Sequence, residues 1–286
     1  MNKLFLLLIV TILYLFGYKT QAQVLEPPLD NIHPTADSKN LKPVPYQYVR
    51  EANVMWQKRI WRTIDMHEKI NEPFYFPRKP ANGRKNFMYI VLDALKEGTI
   101  TPYECAINND EFLVPQTPDQ VLGNLSKSDT LRNQQRPYPP YAYYDTVIKK
   151  DFDPSTVSRF RLKEDWFLDK ERSVMDVRII GLCPTFEKFD DQTGESRGDV
   201  AMFWIYFDEA RPIFAKTQVF NRFNAAERRS YDDIFFKRLF GSYIYKEENV
   251  FDRTIQSYTG KSIEQLLESD RIKDELFRYE HDLWEY

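Results

Sequence analysis

The clearest structural pattern lies at the centre of the chain, where Arg-Phe-Arg-Leu-Lys at residues 159–163 is followed by Met-Asp-Val-Arg-Ile at residues 175–179. Apolar and charged residues alternate in both, which is typical of β-strands with one buried face. A turn-forming stretch, Asp190 to Gly198, then precedes the apolar run Val200 to Phe207, which predicts a strand covered on both faces. Ile213 to Phe220, after a proline, predicts a further strand. Short connections predict an antiparallel meander.

Helical spacing flanks this sheet on both sides. A helix is predicted from Arg50 to Asn71, because apolar residues recur there every three or four positions; these are Ala52, Met55, Trp56, Ile60 and Ile64. The last helix is predicted from Ser262, which can form a capping box with Gln265. Shorter elements are predicted at Phe74–Phe76 (strand) and, as helices, at Asn86–Glu97, Pro118–Leu125 and Asp232–Phe240. The expected class is α+β, a central antiparallel sheet flanked by N-terminal and C-terminal helices.

Three regions are expected along the chain. Residues 1–22 combine a positive start, an apolar run and a small residue, Ala22, which predicts a cleaved signal peptide and hence export. Residues 23–48 are rich in proline, which predicts an extended arm. Residues 49–286 are expected to form a single α+β domain with a long irregular segment at about 99–142, of which residues 126–142 are predicted to be a connection.

Charge is distributed unevenly. The whole chain carries a formal net charge of −3, which argues against a nucleic-acid partner. From Arg50 to Lys96, ten basic residues face five acidic ones, a net of +5, whereas from Ser262 to Tyr286 three basic residues face eight acidic ones, a net of −5. These ends can pack on each other within one chain, or they can meet head to tail between copies, which builds a ring when the rotation closes.

The sequence carries no convincing catalytic or cofactor motif. His67-Glu68 begins like a zinc-protease helix, but position 71 is Asn71, and a catalytic zinc needs three protein ligands. The acidic pairs Asp190-Asp191 and Asp208-Glu209 resemble the paired carboxylates of glycosidases, although such pairs are commonly solvated turns. We therefore expect a protein without enzymatic activity, metal or cofactor.

Aromatic and arginine side chains predict an interaction surface instead. Tryptophan and arginine are the commonest binding anchors. We expect the partner interface to include residues from the first predicted helix and from the end of the chain, namely Trp56, Arg59, Trp61, Arg62, Trp284 and Tyr286. Two cysteines, Cys105 and Cys183, can form a disulfide in an exported protein or remain as buried thiols.

Three separated segments resemble the GldN/PorN family. The first runs from Val54 to Asp65 with Glu68-Lys69-Ile70-Asn71, and the second is Phe203-Trp204-Ile205-Tyr206 with Ala210-Arg211-Pro212. The third comprises Ser242 to Glu247, Leu267-Glu268-Ser269 and the end of the chain, Glu280 to Tyr286.

This resemblance implies a periplasmic subunit of the type IX secretion and gliding machinery of Bacteroidetes. It implies a ring assembled with a GldK/PorK-like lipoprotein, a contact with the periplasmic part of a GldM/PorM-like motor subunit, and an association with the outer membrane only through the lipoprotein. It carries over no catalytic residue and no cofactor. The alternative suggested by the aromatic content is a periplasmic module that binds glycan or peptidoglycan.

Overall fold

The central feature is a long antiparallel sheet. The computed structural model describes residues 41–81, 84–105, 110–135, 138, 143–150, 152–190, 194, 196–221, 224 and 226–282. In chain order the strands are β1 (Val54–Asp65), β2 (Pro102–Tyr103), β3 (Lys127–Gln135), β4 (Tyr143–Lys150), β5 (Val157–Asp169), β6 (Val174–Phe189), β7 (Ser196–Ala201), β8 (Trp204–Tyr206) and β9 (Tyr243–Glu247). The predicted signal peptide, the arm up to residue 40, and Trp284 and Tyr286 lie outside the described residues.

Helices pack against the sheet. They are α1 (Glu72–Tyr75), α2 (Phe87–Lys96), α3 (Pro118–Leu125), α4 (Phe207–Lys216), α5 (Tyr231–Phe236), α6 (Ile255–Tyr258) and α7 (Ser262–Asp282). Together with the antiparallel sheet they confirm the α+β class predicted from the sequence.

The order of strands in the main sheet is β2-β8-β6-β5-β1-β9. Strand β7 pairs with the C-terminal part of β6, after the residues of β6 that pair with β8. Strands β5, β6 and β7 follow one another as the predicted antiparallel meander. Strand β1 lies between β5 and β9, so the N-terminal part of the domain is joined to its C-terminal part by backbone hydrogen bonds. Strands β3 and β4 pair only with each other.

Two predicted helix starts are confirmed in detail. The Asn86 side chain accepts a hydrogen bond from the backbone N–H of Tyr89 and caps α2. Thr117 and Gln120 form a reciprocal capping box at the start of α3. After α2 the chain turns at Gly98, whose φ of +68° favours glycine, so the predicted left-handed cap also forms.

Five local predictions are wrong. The predicted Arg50–Asn71 helix contains strand β1, and Phe74-Tyr75 belongs to helix α1. Residues 127–135, expected within a connection, form β3. Phe207 and residues 213–216, expected in strands, lie in α4, which contains Pro212. The Ser262 capping box is replaced by Glu264, whose carboxylate accepts the backbone N–H groups of Gly260 and Lys261.

The largest core is built mainly from phenylalanine. The Phe87 ring of α2 lies 4.9–5.5 Å, centroid to centroid, from five aromatic rings, which belong to Phe74, Phe160, Phe214, Tyr231 and Phe235. The Tyr231 hydroxyl donates to the carbonyl of Pro73 at 3.1 Å. This core fixes α2, α4 and α5 on one face of the sheet.

The described part of the predicted arm lies against the domain. The Arg211 guanidinium is 4.1 Å from the centre of the Tyr46 ring, and one of its terminal nitrogens donates to the carbonyl of Val44 at 2.5 Å. The same guanidinium forms a buried ion pair with Asp232, 2.9 Å from Nε to Oδ1. Residues 44–46 are thus anchored on α4 and α5.

Candidate interaction surface

The expected interface segment from Trp56 to Arg62 is a strand inside the sheet. Along β1 the side chains alternate between two faces, and β5 and β9 occupy its two edges. Arg59 is partly exposed and forms a paired contact with Asp165 of β5, with nitrogen–oxygen distances of 2.6 and 2.9 Å. The Arg59 charge is therefore largely neutralised by Asp165 within the chain.

Trp61 and Arg62 are buried. The Trp61 indole N–H donates to the carboxylate of Asp110, and the Arg62 Nε donates to Glu164 at 3.1 Å. Their expected place on an exposed helix face is wrong, because β1 is covered on both faces at this point. Both side chains are therefore occupied by contacts within the chain.

Trp56 connects the two ends of the domain. Its ring stacks on Tyr279 of α7 with the centroids 5.1 Å apart and the planes 23° apart. Beside it, Ile60 of β1, Ile244 of β9 and Ile272 and Leu276 of α7 form a second apolar cluster. The acidic C-terminal helix therefore packs on the basic N-terminal region within one chain.

Helix α7 has two faces of different character. The inward face carries Ser269, Ile272 and Leu276, all buried. The Ser269 hydroxyl accepts the backbone N–H of Ile244 at 2.8 Å, so α7 also covers part of the outer edge of β9. The inward face explains why the helix is attached to the sheet.

The outward face of α7 exposes large apolar side chains. These are Ile263 (72 % exposed), Leu266 (57 %), Leu267 (64 %) and Phe277 (67 %). At 100° per residue all four lie within about 60° of one direction, so they share one face of the helix, on which Asp270 and Asp274 lie between Leu267 and Phe277. Apolar groups that share one face in this way mark a contact with another molecule more often than scattered ones do. We call this set the α7 stripe.

Charged side chains border the α7 stripe. Arg271 forms ion pairs with Glu268 at 2.8 Å and with Glu275 at 3.1 Å, and Lys273 pairs with Asp270 at 3.3 Å. The pKa of the Glu268 carboxyl lies below its usual value because Arg271 donates a hydrogen bond to it. These pairs stabilise the helix and surround its apolar residues with mostly negative charge, which is the anatomy of an interface with a polar rim.

Sequence reasoning overlooked the α7 stripe although its signal is present. The interpretation of this helix rested on the inward residues Ile272, Leu276 and Tyr279, which share one face. Ile263, Leu267 and Phe277 repeat with helical spacing on the opposite face. A helix with apolar residues on two opposite faces is expected to be covered twice.

The residues considered from the sequence for catalysis or metal binding make contacts within the fold. Asp208 and Glu209 lie in the first turn of α4, where the helix dipole favours carboxylates, and Glu209 accepts a hydrogen bond from the Thr101 hydroxyl at 3.0 Å. His67 is exposed and contacts Asp65. Among the described residues, no group of three or more histidine, cysteine or acidic side chains is arranged to hold a metal ion.

A shallow cavity lies beside α1. It has a volume of about 270 Å³ and is lined by Ile70, Pro73, Val219, Phe220 and Leu239 together with several polar residues. Of the acidic pairs considered from the sequence, the described members Asp190, Asp208 and Glu209 do not line it. Within the part of the chain that the structure describes, no helix is both long and apolar enough to cross a membrane.

The two cysteines are free thiols that lie together. Cys183 of β6 is fully buried beside Trp61 and Trp204, and Cys105 packs against this cluster. The sequence does not decide between a disulfide and two thiols. The structure places the two side chains in contact.

The described domain thus combines a sheet that joins its two ends with a C-terminal helix that exposes a second apolar face. Comparison with known protein families matches residues 49–285 to the family described as gliding motility associated protein GldN, so the chain belongs to this family. The resemblance stated from the sequence is thereby confirmed. No curated protein matches the chain.

Proposed function

We propose that this chain is a non-enzymatic subunit of the type IX secretion and gliding machinery, located in the periplasm. It assembles with a GldK/PorK-like lipoprotein into a ring and contacts a GldM/PorM-like motor subunit. It reaches the outer membrane only through the lipoprotein. Membership of the gliding-associated family and the exposed α7 stripe support this proposal.

The α7 stripe is the observation that carries the proposal. A helix that exposes Leu267 and Phe277 to water loses the free energy that burial of large apolar side chains provides. A partner that covers the stripe recovers it. The rim of ion pairs on the same helix allows the surface to remain soluble before assembly.

Charge complementarity supports self-association as one component of the ring. Exposed basic residues follow β1 in sequence and extend to the end of α2. They are Lys69, Arg78, Lys79, Arg84, Lys85 and Lys96. The C-terminal region from Ser262 onward carries a net charge of −5. The two surfaces differ, so a contact between them is heterologous and repeats from copy to copy.

The test uses the chain in its own envelope. A tagged wild-type protein is purified from mild-detergent envelope extracts, its partners are identified by mass spectrometry, and the complex is sized. The Leu267→Glu variant places a charge in the α7 stripe. The matched control is Leu113→Glu, because Leu113 is 66 % exposed and adjoins β2 at the opposite end of the sheet.

We expect the wild type and Leu113→Glu to elute in a complex far larger than a dimer, with a lipoprotein and a single-span inner-membrane protein. Leu267→Glu should keep the wild-type circular dichroism spectrum and lose this complex together with secretion. A monomeric wild type without envelope partners would remove the secretion proposal, and retention on insoluble peptidoglycan would then favour glycan binding. If Leu267→Glu assembles like the control, the α7 stripe is not the interface.

A further inference from the structure

The contact between Cys105 and Cys183 leads to an inference that is independent of the proposed assembly. We propose that the two thiols form a redox pair that an external disulfide converts into an intramolecular disulfide. Both cysteines of the chain belong to one cluster with Trp61 and Trp204. They are 78 positions apart in sequence, so only the fold brings them together.

The two thiols are placed differently. Cys183 lies in the middle of β6, opposite Arg161 of β5, and has no exposed surface. Its Sγ is 3.6 Å from the carbonyl oxygen of Pro184. Cys105 follows β2 and is only partly covered. An external reagent can therefore reach Cys105, whereas Cys183 can be reached only from Cys105.

Their acidities differ in the same direction. The interaction of the Cys105 sulfur with the Cys183 side chain, the Arg161 guanidinium and a hydrogen bond from Trp204 together outweigh burial, so the pKa of Cys105 lies below its usual value. Burial raises the pKa of Cys183 well above its usual value. Because the thiolate is the nucleophile, Cys105 is the thiol that attacks first.

The reaction balances with a disulfide as the oxidant. The Cys105 thiolate attacks one sulfur of an external disulfide, a mixed disulfide forms, and one thiolate leaves. Cys183 then loses its proton to the departing group and attacks Cys105 Sγ, which releases the second thiol. The chain loses two hydrogen atoms, that is two protons and two electrons, and the external disulfide is reduced to two thiols.

The disulfide would add a covalent attachment to the segment that covers Trp61. Strand β2 contributes only Pro102 and Tyr103 to the sheet. Downstream of Cys105, the Asp110 carbonyl accepts a hydrogen bond from Lys163 at 2.7 Å, and its carboxylate accepts the Trp61 indole N–H. A covalent bond from Cys105 to the centre of β6 fixes this cover over Trp61 in place.

Intact-mass measurement of the folded, reduced full chain after incubation with oxidised glutathione tests the proposal. We expect the wild type to lose the mass of two hydrogen atoms and to retain no glutathione. Cys183→Ala should gain one glutathionyl group, which peptide mapping places on Cys105. Cys105→Ser should remain unmodified until it is unfolded in urea.

A wild type that keeps a stable glutathionyl adduct, or that stays fully reduced, would overturn the proposal. So would rapid modification of native Cys105→Ser, since Cys183 would then be accessible by itself. Should Cys183→Ala fail to fold, the urea midpoint of the oxidised wild type provides the second measurement. It should rise above that of the reduced wild type, and Cys105→Ser should show no such rise. An unchanged midpoint in the oxidised wild type would contradict anchoring by the disulfide.

Discussion

Strand β1 and helix α7 use similar side chains in opposite ways. In β1 the large and charged side chains are bound inside the chain, as Trp61 is to Asp110 and Arg62 to Glu164. In α7 only the inward face is covered, and Leu267 and Phe277 of the α7 stripe face outward. The difference shows that anchor-type residues indicate an interface only where the fold leaves them uncovered.

The largest expected effect comes from Glu164, the buried partner of Arg62 in β1. It has no exposed surface and accepts hydrogen bonds from Arg62 at 3.1 Å, Trp166 at 3.2 Å and Arg238 at 3.1 Å. Glu164→Gln leaves the buried Arg62 charge without its counterion. We expect the free energy of unfolding in urea to fall by about 3–5 kcal/mol.

Asp165→Asn is the matched control for Glu164→Gln. Asp165 is the next residue of β5 and pairs with Arg59, whose side chain is 37 % exposed. Because water screens this pair, its loss should lower the free energy of unfolding by only about 1 kcal/mol. Equal losses in the two variants would show that burial of the Arg62–Glu164 pair is not what distinguishes it.

The two faces of α7 provide the next largest effect. Ile272 is fully buried against Ile60 and Ile244, so Ile272→Ala should lower the free energy of unfolding by about 2–4 kcal/mol. Leu267→Ala removes a side chain from the α7 stripe and should change it by less than about 0.5 kcal/mol. Urea unfolding of the isolated chain measures both. A large loss in Leu267→Ala would mean that its outward face is covered within the chain.

The strands with strict alternation could be predicted, and β1 shows why another strand could not. In β5, Phe160 and Leu162 alternate with charged residues, which only a strand explains. In β1, Trp56, Ile60 and Ile64 recur every fourth residue. Four is close to one helical turn and is also an even number, so the same residues share a face in a strand. The β-branched and aromatic content of this segment favoured the strand.

Helix α4 shows the opposite error. The sequence predicts a break between strands at Pro212, yet this residue lies within the helix. The residues that pack inward, Phe207, Ala210 and Phe214, recur every three or four positions. Proline at position 212 removes one N–H group, the one that would reach the carbonyl of Asp208 in the first turn. Packing of the three apolar side chains outweighs the loss of that single bond.

That the acidic C-terminal helix belongs to an interaction surface stays a prediction from the sequence. The burial of Trp61 and Arg62, in contrast, could not be predicted from the sequence. Their burial depends on β9 and on Asp110, which are distant in sequence from β1. Such contacts are set by tertiary structure, which local patterns do not encode.

The smallest expected loss of stability concerns Asp65, the last residue of β1. Burial raises the pKa of the Asp65 carboxyl, but hydrogen bonds from the backbone amide of His67 and from the Arg159 and His67 side chains outweigh it, so the pKa lies below its usual value. An acid with a lowered pKa stabilises the folded state above its unfolded pKa, near 3.9 for aspartate, and loses this contribution as pH falls through the folded value. Asp65→Asn should therefore lower the free energy of unfolding at pH 7 by about 0.5–1 kcal/mol, since its contact with Arg159 is partly solvated.

The deficit of Asp65→Asn relative to the wild type should shrink as pH falls below about 4, where the unfolded carboxyl takes up a proton, and vanish below the lowered pKa of folded Asp65. Urea midpoints of both proteins at pH 7 and near pH 3 measure this change. Asp270→Asn serves as the control on α7, because Asp270 is 60 % exposed and its contact with Lys273 lies on the surface. It should leave the midpoint nearly unchanged at both pH values. A deficit of Asp65→Asn that persists in acid would assign the effect to the shape of the side chain instead of its charge, and β1 and α7 would then differ in packing alone.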